Sequence, residues 1–164
     1  FVDESIFPFD WKNISHIMIE SVKEKGVYPL TGKSQFESTV YGRTGWFLQQ
    51  LLKFYAGNIL EIGDYVLLDS DIIWFKDTKF INETVTMNGK EITKYYYASS
   101  SQYHPPYMAT LKKISGVDLL KSPDTHRSGI AHHMVIVKYV LEDLMNNSVQ
   151  LHGGLPFWQV LLNE

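Results

Sequence analysis

From the amino end, hydrophobic positions first recur at helical spacing: Trp11, Ile14, Ile17, Met18 and Val22 share one face, Asp10 is placed to cap the first turn, and Gly26 to end it. Residues 1–9 ahead of this helix read as the tail of a strand and its exit loop, with Asp3 and Glu4 at the turn and Pro8 closing it. Residues 27–43 hold Pro29, Gly32 and Gly42 among polar residues and are expected to be mostly loop. Thr44 is expected to cap a second helix running from Gly45 to Tyr55 and closed by Gly57.

The next pattern is different. Gly63-Asp64 opens an apolar run, Tyr65-Val66-Leu67-Leu68, that stops at Asp69-Ser70-Asp71 and resumes as Ile72-Ile73-Trp74-Phe75. A continuous apolar run of this length after a turn predicts an interior strand of an α/β sheet, with Asp64 in the turn and Ile72 to Phe75 as a short extended segment. Thr84 to Met87 and Glu91 to Thr93 flank Asn88-Gly89, a hairpin signal. A strand is expected at Tyr95 to Ser99, then a loop, Tyr103-His104-Pro105-Pro106-Tyr107. Pro106 suits the first turn of a helix faced by Met108, Leu111 and Ile114. Ile130 to Val137 reads as a strand, Tyr139 to Met145 as a helix, and Pro156 to Leu162 as the start of another. Strands alternating with helices around one hairpin predict a three-layer α/β domain.

Two carboxylates one residue apart at a strand end repel each other unless a cation or a proton is shared between them. In open α/β sheets the ligand crevice lies at the carboxyl ends of the strands. A hard divalent cation, Mn²⁺ or Mg²⁺, meets the need, because such ions are shared between protein carboxylates and substrate phosphates. The bland alternative is that Asp69 and Asp71 only cap the turn that follows.

His132 and His133 fall on a predicted strand, where neighbouring residues point to opposite faces, so one faces the site and the other packs unless the strand is bulged. His133 is taken as the cleft-facing member and a metal ligand. Arg43 has the bidentate fork that suits a diphosphate. Gln49 and Lys53 are four residues apart on one helix face, and Gln50 lies about 100° round.

Tyr65-Val66-Leu67-Leu68-Asp69-Ser70-Asp71-Ile72-Ile73-Trp74-Phe75 resembles the D-x-D strand of nucleotide-sugar glycosyltransferases with the GT-A fold. The blocks Gly42-Arg43-Thr44-Gly45-Trp46, Tyr103-His104-Pro105-Pro106-Tyr107 and Ile130-Ala131-His132-His133-Met134 stand around it in the order of a largely uncharacterised glycosyltransferase-like family. The resemblance implies a Rossmann-like GT-A domain occupying residues 1–164, incomplete and cut short at both ends. It implies Asp71 as direct metal ligand, Asp69 on the metal or the donor's ribose, and His152, before Gly153-Gly154 like a His-Gly loop late in some of these enzymes, as a further metal candidate. Arg43, Gln49, Gln50, Asp69 and Ser70 then become donor-binding candidates, and Tyr103, His104, Tyr107, His132 and Trp158 acceptor-binding candidates. The expected partners are a nucleotide-sugar donor and a glycan or other hydroxyl acceptor. No catalytic base is assigned.

Composition narrows the field. The 164 residues are 45% hydrophobic and 20% charged, as in an ordinary globular domain. A net charge of −3 without a long basic cluster argues against nucleic acid as a partner. No apolar run reaches the length of a membrane span. The chain has no cysteine, which excludes disulfides and thiolate ligands and leads to the expectation of a cytoplasmic protein. Sequons at Asn13, Asn82 and Asn146 would matter in a secretory lumen, the alternative for a eukaryotic chain. Aromatic residues make up 14%, and Trp46, Tyr103, Tyr107 and Trp158 beside Gly, Pro or His are candidates for stacking on sugar rings. Two other readings stay open: a haloacid-dehalogenase-like phosphatase with Asp69 as nucleophile, and a non-catalytic carbohydrate- or cation-binding domain.

Overall fold

The computed structural model describes residues 3–26, 33–95, 104–117 and 132–164, with the side chains of 33–37, 81–83, 94 and 95 left aside. A 3-10 turn, Glu4–Ile6, replaces the expected strand tail, because the Asp3 carboxylate accepts from the Ser5 N–H and tightens the chain. Helix α1, Trp11–Glu24, starts where the sequence places it, with the Asp10 carboxylate accepting from the Asn13 N–H at 2.7 Å.

Helix α2, Lys33–Ile59, differs from expectation. It is one long helix that absorbs residues 33–43, read as loop, and runs through Gly42, Thr44, Gly45 and Gly57; the rest of that expected loop, 27–32, lies outside the described residues. Thr44 is fully buried in mid-helix, and its hydroxyl donates to the Val40 carbonyl four residues back, so it needs no cap role. Packing against α1 through Leu51 and Ile14 supplies what local propensity lacks.

Two small antiparallel sheets follow. Strand β1, Tyr65–Leu68, pairs with β4, His133–Ile136, in the register Tyr65↔Ile136 to Leu68↔His133. Strands β2, Ile81–Met87, and β3, Lys90–Tyr95, form the hairpin. Asn88 and Gly89 both take positive φ, 53° and 75°, the requirement that made Asn-Gly legible. The Ile72 to Phe75 segment is not a strand, and the expected strand beyond Tyr95 lies outside the described residues. The β1 strand is half-buried with Leu68 exposed, not the doubly covered interior strand its apolar run predicted, because among the described residues β4 is its one strand partner.

Helices α3, Pro105–Ser115, α4, Lys138–Leu151, and α5, Phe157–Asn163, complete the described elements. The α3 start carries prolines at its first two positions, where no N–H is missed. Asp64 ties the start of β1 to α4 by accepting from the Lys138 N–H at 2.9 Å. The short α5 is the peg of the core: Phe157 and Val160 join Ile114, Ile136, Leu141 and Met145, while Trp158 and Leu162 join Phe9, Ile14 and Leu51. The architecture is therefore mixed α/β, with five α-helices and small antiparallel sheets among the described residues. None of those helices is long and apolar enough to cross a membrane.

Candidate metal centre

The β1–β4 ladder builds the site. Beyond the Leu68↔His133 pair, the Asp69 N–H donates to the His132 carbonyl at 2.9 Å, so the two chains stay in register for one more residue. Residues directly opposed in an antiparallel pair share a face. Asp69 Oδ2 accordingly stands 3.2 Å from His132 Nδ1. The chain then turns, with the Ile72 N–H donating to the Asp69 carbonyl, and this turn carries Asp71 back toward the pair. Ligand atoms of Asp69, Asp71 and His132 all lie within 4.8 Å of one another.

On the other carboxylate oxygen, the Lys53 ammonium of α2 lies 2.8 Å from Asp69 Oδ1. That hydrogen bond, reinforced by His132, holds the Asp69 carboxyl below the usual carboxylate range. Lys53 is placed by the same contact that seats β1 on α2: the Tyr65 hydroxyl donates to the Lys53 carbonyl at 2.8 Å. Gly57 makes room for that ring, since a Cβ there would stand 2.6 Å from Tyr65 Cε1.

A cation fits this donor set. Ligands of an octahedral ion with bonds near 2.1 Å lie about 3.0 Å apart when adjacent and about 4.2 Å when opposite, so side-chain rotations that draw the donors in by an ångström or two would close all three on one centre. An imidazole nitrogen beside two carboxylates moves the choice from Mg²⁺, which takes oxygen, toward Mn²⁺. Asp71 and His132 are exposed, which leaves the remaining positions open to water or to a ligand's oxygens.

The structure corrects the choice between the two histidines. His132, assigned to the acceptor side, stands with the aspartates. His133, chosen as the ligand, lies on the other face against Trp74 and Phe80, with ring centroids 5.1 and 6.0 Å away. The two adjacent rings do part to different partners; the register that decides which of them meets the aspartates is invisible in one strand's sequence. His152 caps α4 instead of joining the cluster, its Nδ1 2.9 Å from the Ser148 carbonyl and its Nε2 near Glu164.

The donor candidates fall on one stripe. Arg43, Trp46, Gln50 and Lys53 follow at spacings of three, four and three along α2, with Gln49 beside them, so they share a helix face that ends at Asp69. Ser70 is exposed in the turn between the aspartates. At the far end of the stripe, Trp46 stacks near-parallel to Tyr107, and His104 meets Tyr107 edge-on at 4.4 Å. Tyr103 lies outside the described residues. Trp158 is corrected: it is 7% exposed, its ring packed on Phe9 and its backbone N–H donating to the Tyr55 hydroxyl, so the ring is core and offers no face to an acceptor. Lys53 is the residue that sequence reasoning left out of the site; its shared face with Gln49 was legible, its carboxylate partner was not.

The profile of DUF6492, described as a family of unknown function, matches residues 9–162. The chain belongs to that family. No curated protein and no solved structure matches it. The stretch matched to DUF6492 contains the acid cluster, Lys53 and the whole α2 stripe, so the site belongs to the family's own span.

Proposed function

We propose that this domain is a metal-dependent glycosyltransferase that moves a sugar from a nucleoside diphosphate donor to a hydroxyl acceptor. The observation that carries the reading is the convergence of Asp69, Asp71 and His132 at the end of β1, with the Lys53 ammonium against them. On this reading the mixed α/β arrangement belongs to a GT-A-type layered domain, as the D-x-D strand's resemblance implies. Asp69, Asp71 and His132 would hold Mn²⁺ or Mg²⁺, with Mn²⁺ favoured by the imidazole. Bound there, the cation supplies Lewis-acid neutralisation of charge on the leaving diphosphate. Lys53, exchanged from Asp69 to a phosphate oxygen, adds a charge-assisted hydrogen bond to the same group, and Arg43 along the stripe adds a planar fork. Gln49 and Gln50 offer neutral amides to the ribose or the diphosphate.

The test is release of nucleoside diphosphate from a panel of nucleotide-sugars, with and without Mn²⁺ and with and without added acceptors. Metal-dependent release supports the proposal. A phosphoenzyme trapped on Asp69 would replace it with the phosphatase reading, and metal and sugar binding with no release would replace it with a binding domain.

A further inference from the structure

The far end of the α2 stripe forms a shelf of rings. Trp46 and Tyr107 lie 6.5 Å apart at an interplanar angle of 18°, Phe47 meets Trp46 edge-on at 5.0 Å, and His104 meets Tyr107 edge-on. Trp46 and Tyr107 are each 47% exposed, so the shelf presents ring surface to solvent. A lone exposed aromatic needs no explanation, but a joined group spanning two helices does. The Tyr107 hydroxyl and the Gln49 and Gln50 amides beside it both donate and accept, as does an imidazole at His104 in its neutral form, matching sugar hydroxyls that do the same, and the Arg43 guanidinium one turn before Trp46 adds donors. The apolar C–H face of a pyranose would lie on the rings.

We infer that Trp46, Tyr107 and His104 form a carbohydrate-stacking subsite, and that the acceptor is an oligosaccharide chain. The inference of an acceptor rests on the transferase reading; the affinity of the shelf for sugar does not. Trp46 and Lys53 are seven residues apart on one helix face, roughly 10 Å along the axis. That separation exceeds one sugar ring, so a chain seated on the shelf has a length of at least two sugars to bring its end to the acid cluster. A nucleobase would be the other planar occupant, but cofactor and nucleotide sites enclose their ligands in concave pockets. Trp46 and Tyr107 are each about half exposed, which suits an extended chain laid across them.

The experiment is isothermal titration of the full chain in EDTA, without nucleotide, against maltotetraose, cellotetraose, xylotetraose, mannotetraose and chitotetraose. At least one tetrasaccharide is expected to bind, and more tightly than its monosaccharide. Trp46→Ala and Tyr107→Ala each weaken that binding about tenfold, which is about 1.4 kcal/mol, whereas Trp46→Phe and Tyr107→Phe stay within about threefold. Phe75→Ala, which removes an exposed ring outside the shelf, leaves it unchanged. Melting temperatures confirm that the variants fold. The inference is overturned if no tetrasaccharide in the panel binds, if binding survives Trp46→Ala, or if uridine, guanosine or thymidine binds in a Trp46-dependent manner instead. Because metal and donor are absent, failure of the metal-dependent reading leaves this result standing, and the reverse holds as well.

Discussion

Replacing Lys53 by Met keeps the unbranched stem as far as Cε and removes the ammonium with its charge, and the structure gives two opposite consequences. Lys53 Nζ sits 2.8 Å from Asp69 Oδ1, with the two side chains 23% and 34% exposed. An ion pair this open to water contributes about 0.2–1 kcal/mol. A divalent cation binding alone must displace the ammonium, so Lys53→Met should bind Mn²⁺ more tightly by up to about fivefold. Once a nucleoside diphosphate is present, the released ammonium has a phosphate to meet. The variant then lacks a charge-assisted bond worth about 1–2 kcal/mol and should bind the diphosphate about five- to thirtyfold more weakly. Loss of the pair should lower Tm by about 1–4 °C in a domain of this size. The acid side follows from the depressed Asp69 carboxyl. Its stabilisation is present above the ordinary Asp value of about 3.9 and is lost as pH falls through the lower folded value, so the variant should lose less stability on acidification. Isothermal titration with Mn²⁺ alone and then with Mn²⁺ and a nucleoside diphosphate reads both signs. Unchanged or weaker Mn²⁺ binding by the variant alone would refute the idea that Lys53 and a cation compete for Asp69.

Three further outcomes separate packing from chemistry. His132→Ala should weaken Mn²⁺ binding with little change in Tm, while His133→Ala should spare Mn²⁺ and lower Tm, since its ring packs on Trp74 and Phe80; paired titration and melting curves distinguish them. Gly57→Ala gains helix propensity of about 1 kcal/mol but places a Cβ against Tyr65, where overpacking costs about 1–3 kcal/mol. A net fall in Tm together with weaker Mn²⁺ binding is expected because β1 is pushed from α2, and a rise in Tm would show that Tyr65 yields freely.

Much of this arrangement was legible where the local signal and the tertiary structure agree. Asp10 and the 3.6-residue period gave α1, and Asn88-Gly89 gave the hairpin because its turn demands two positive φ angles. The α2 helix was misread because Gly42, Thr44 and Gly45 weaken it locally, whereas its stability comes from packing against α1 and from the Thr44 hydroxyl bonding within its own helix. The aspartates stood out as charges ending an apolar run. Their partners did not, because His132 is selected by the β1–β4 register and Lys53 by the seating of Tyr65 on α2, both long-range facts. Trp158 was taken for a sugar-stacking ring because Gly153, Gly154 and Pro156 stand close by in sequence, yet α5 supplies buried residues to both core clusters.

The most direct test of the account removes one charge at constant volume. Asp71→Asn should keep the wild-type melting temperature, because Asp71 is exposed, and should lose metal-dependent binding of a nucleoside diphosphate. Isothermal titration of uridine, guanosine and thymidine diphosphates in the presence of Mn²⁺, wild type against variant, measures it. The account predicts Mn²⁺-dependent binding by the wild type that is abolished in Asp71→Asn. Equal affinity in the two proteins, or equal affinity with and without Mn²⁺, would contradict it.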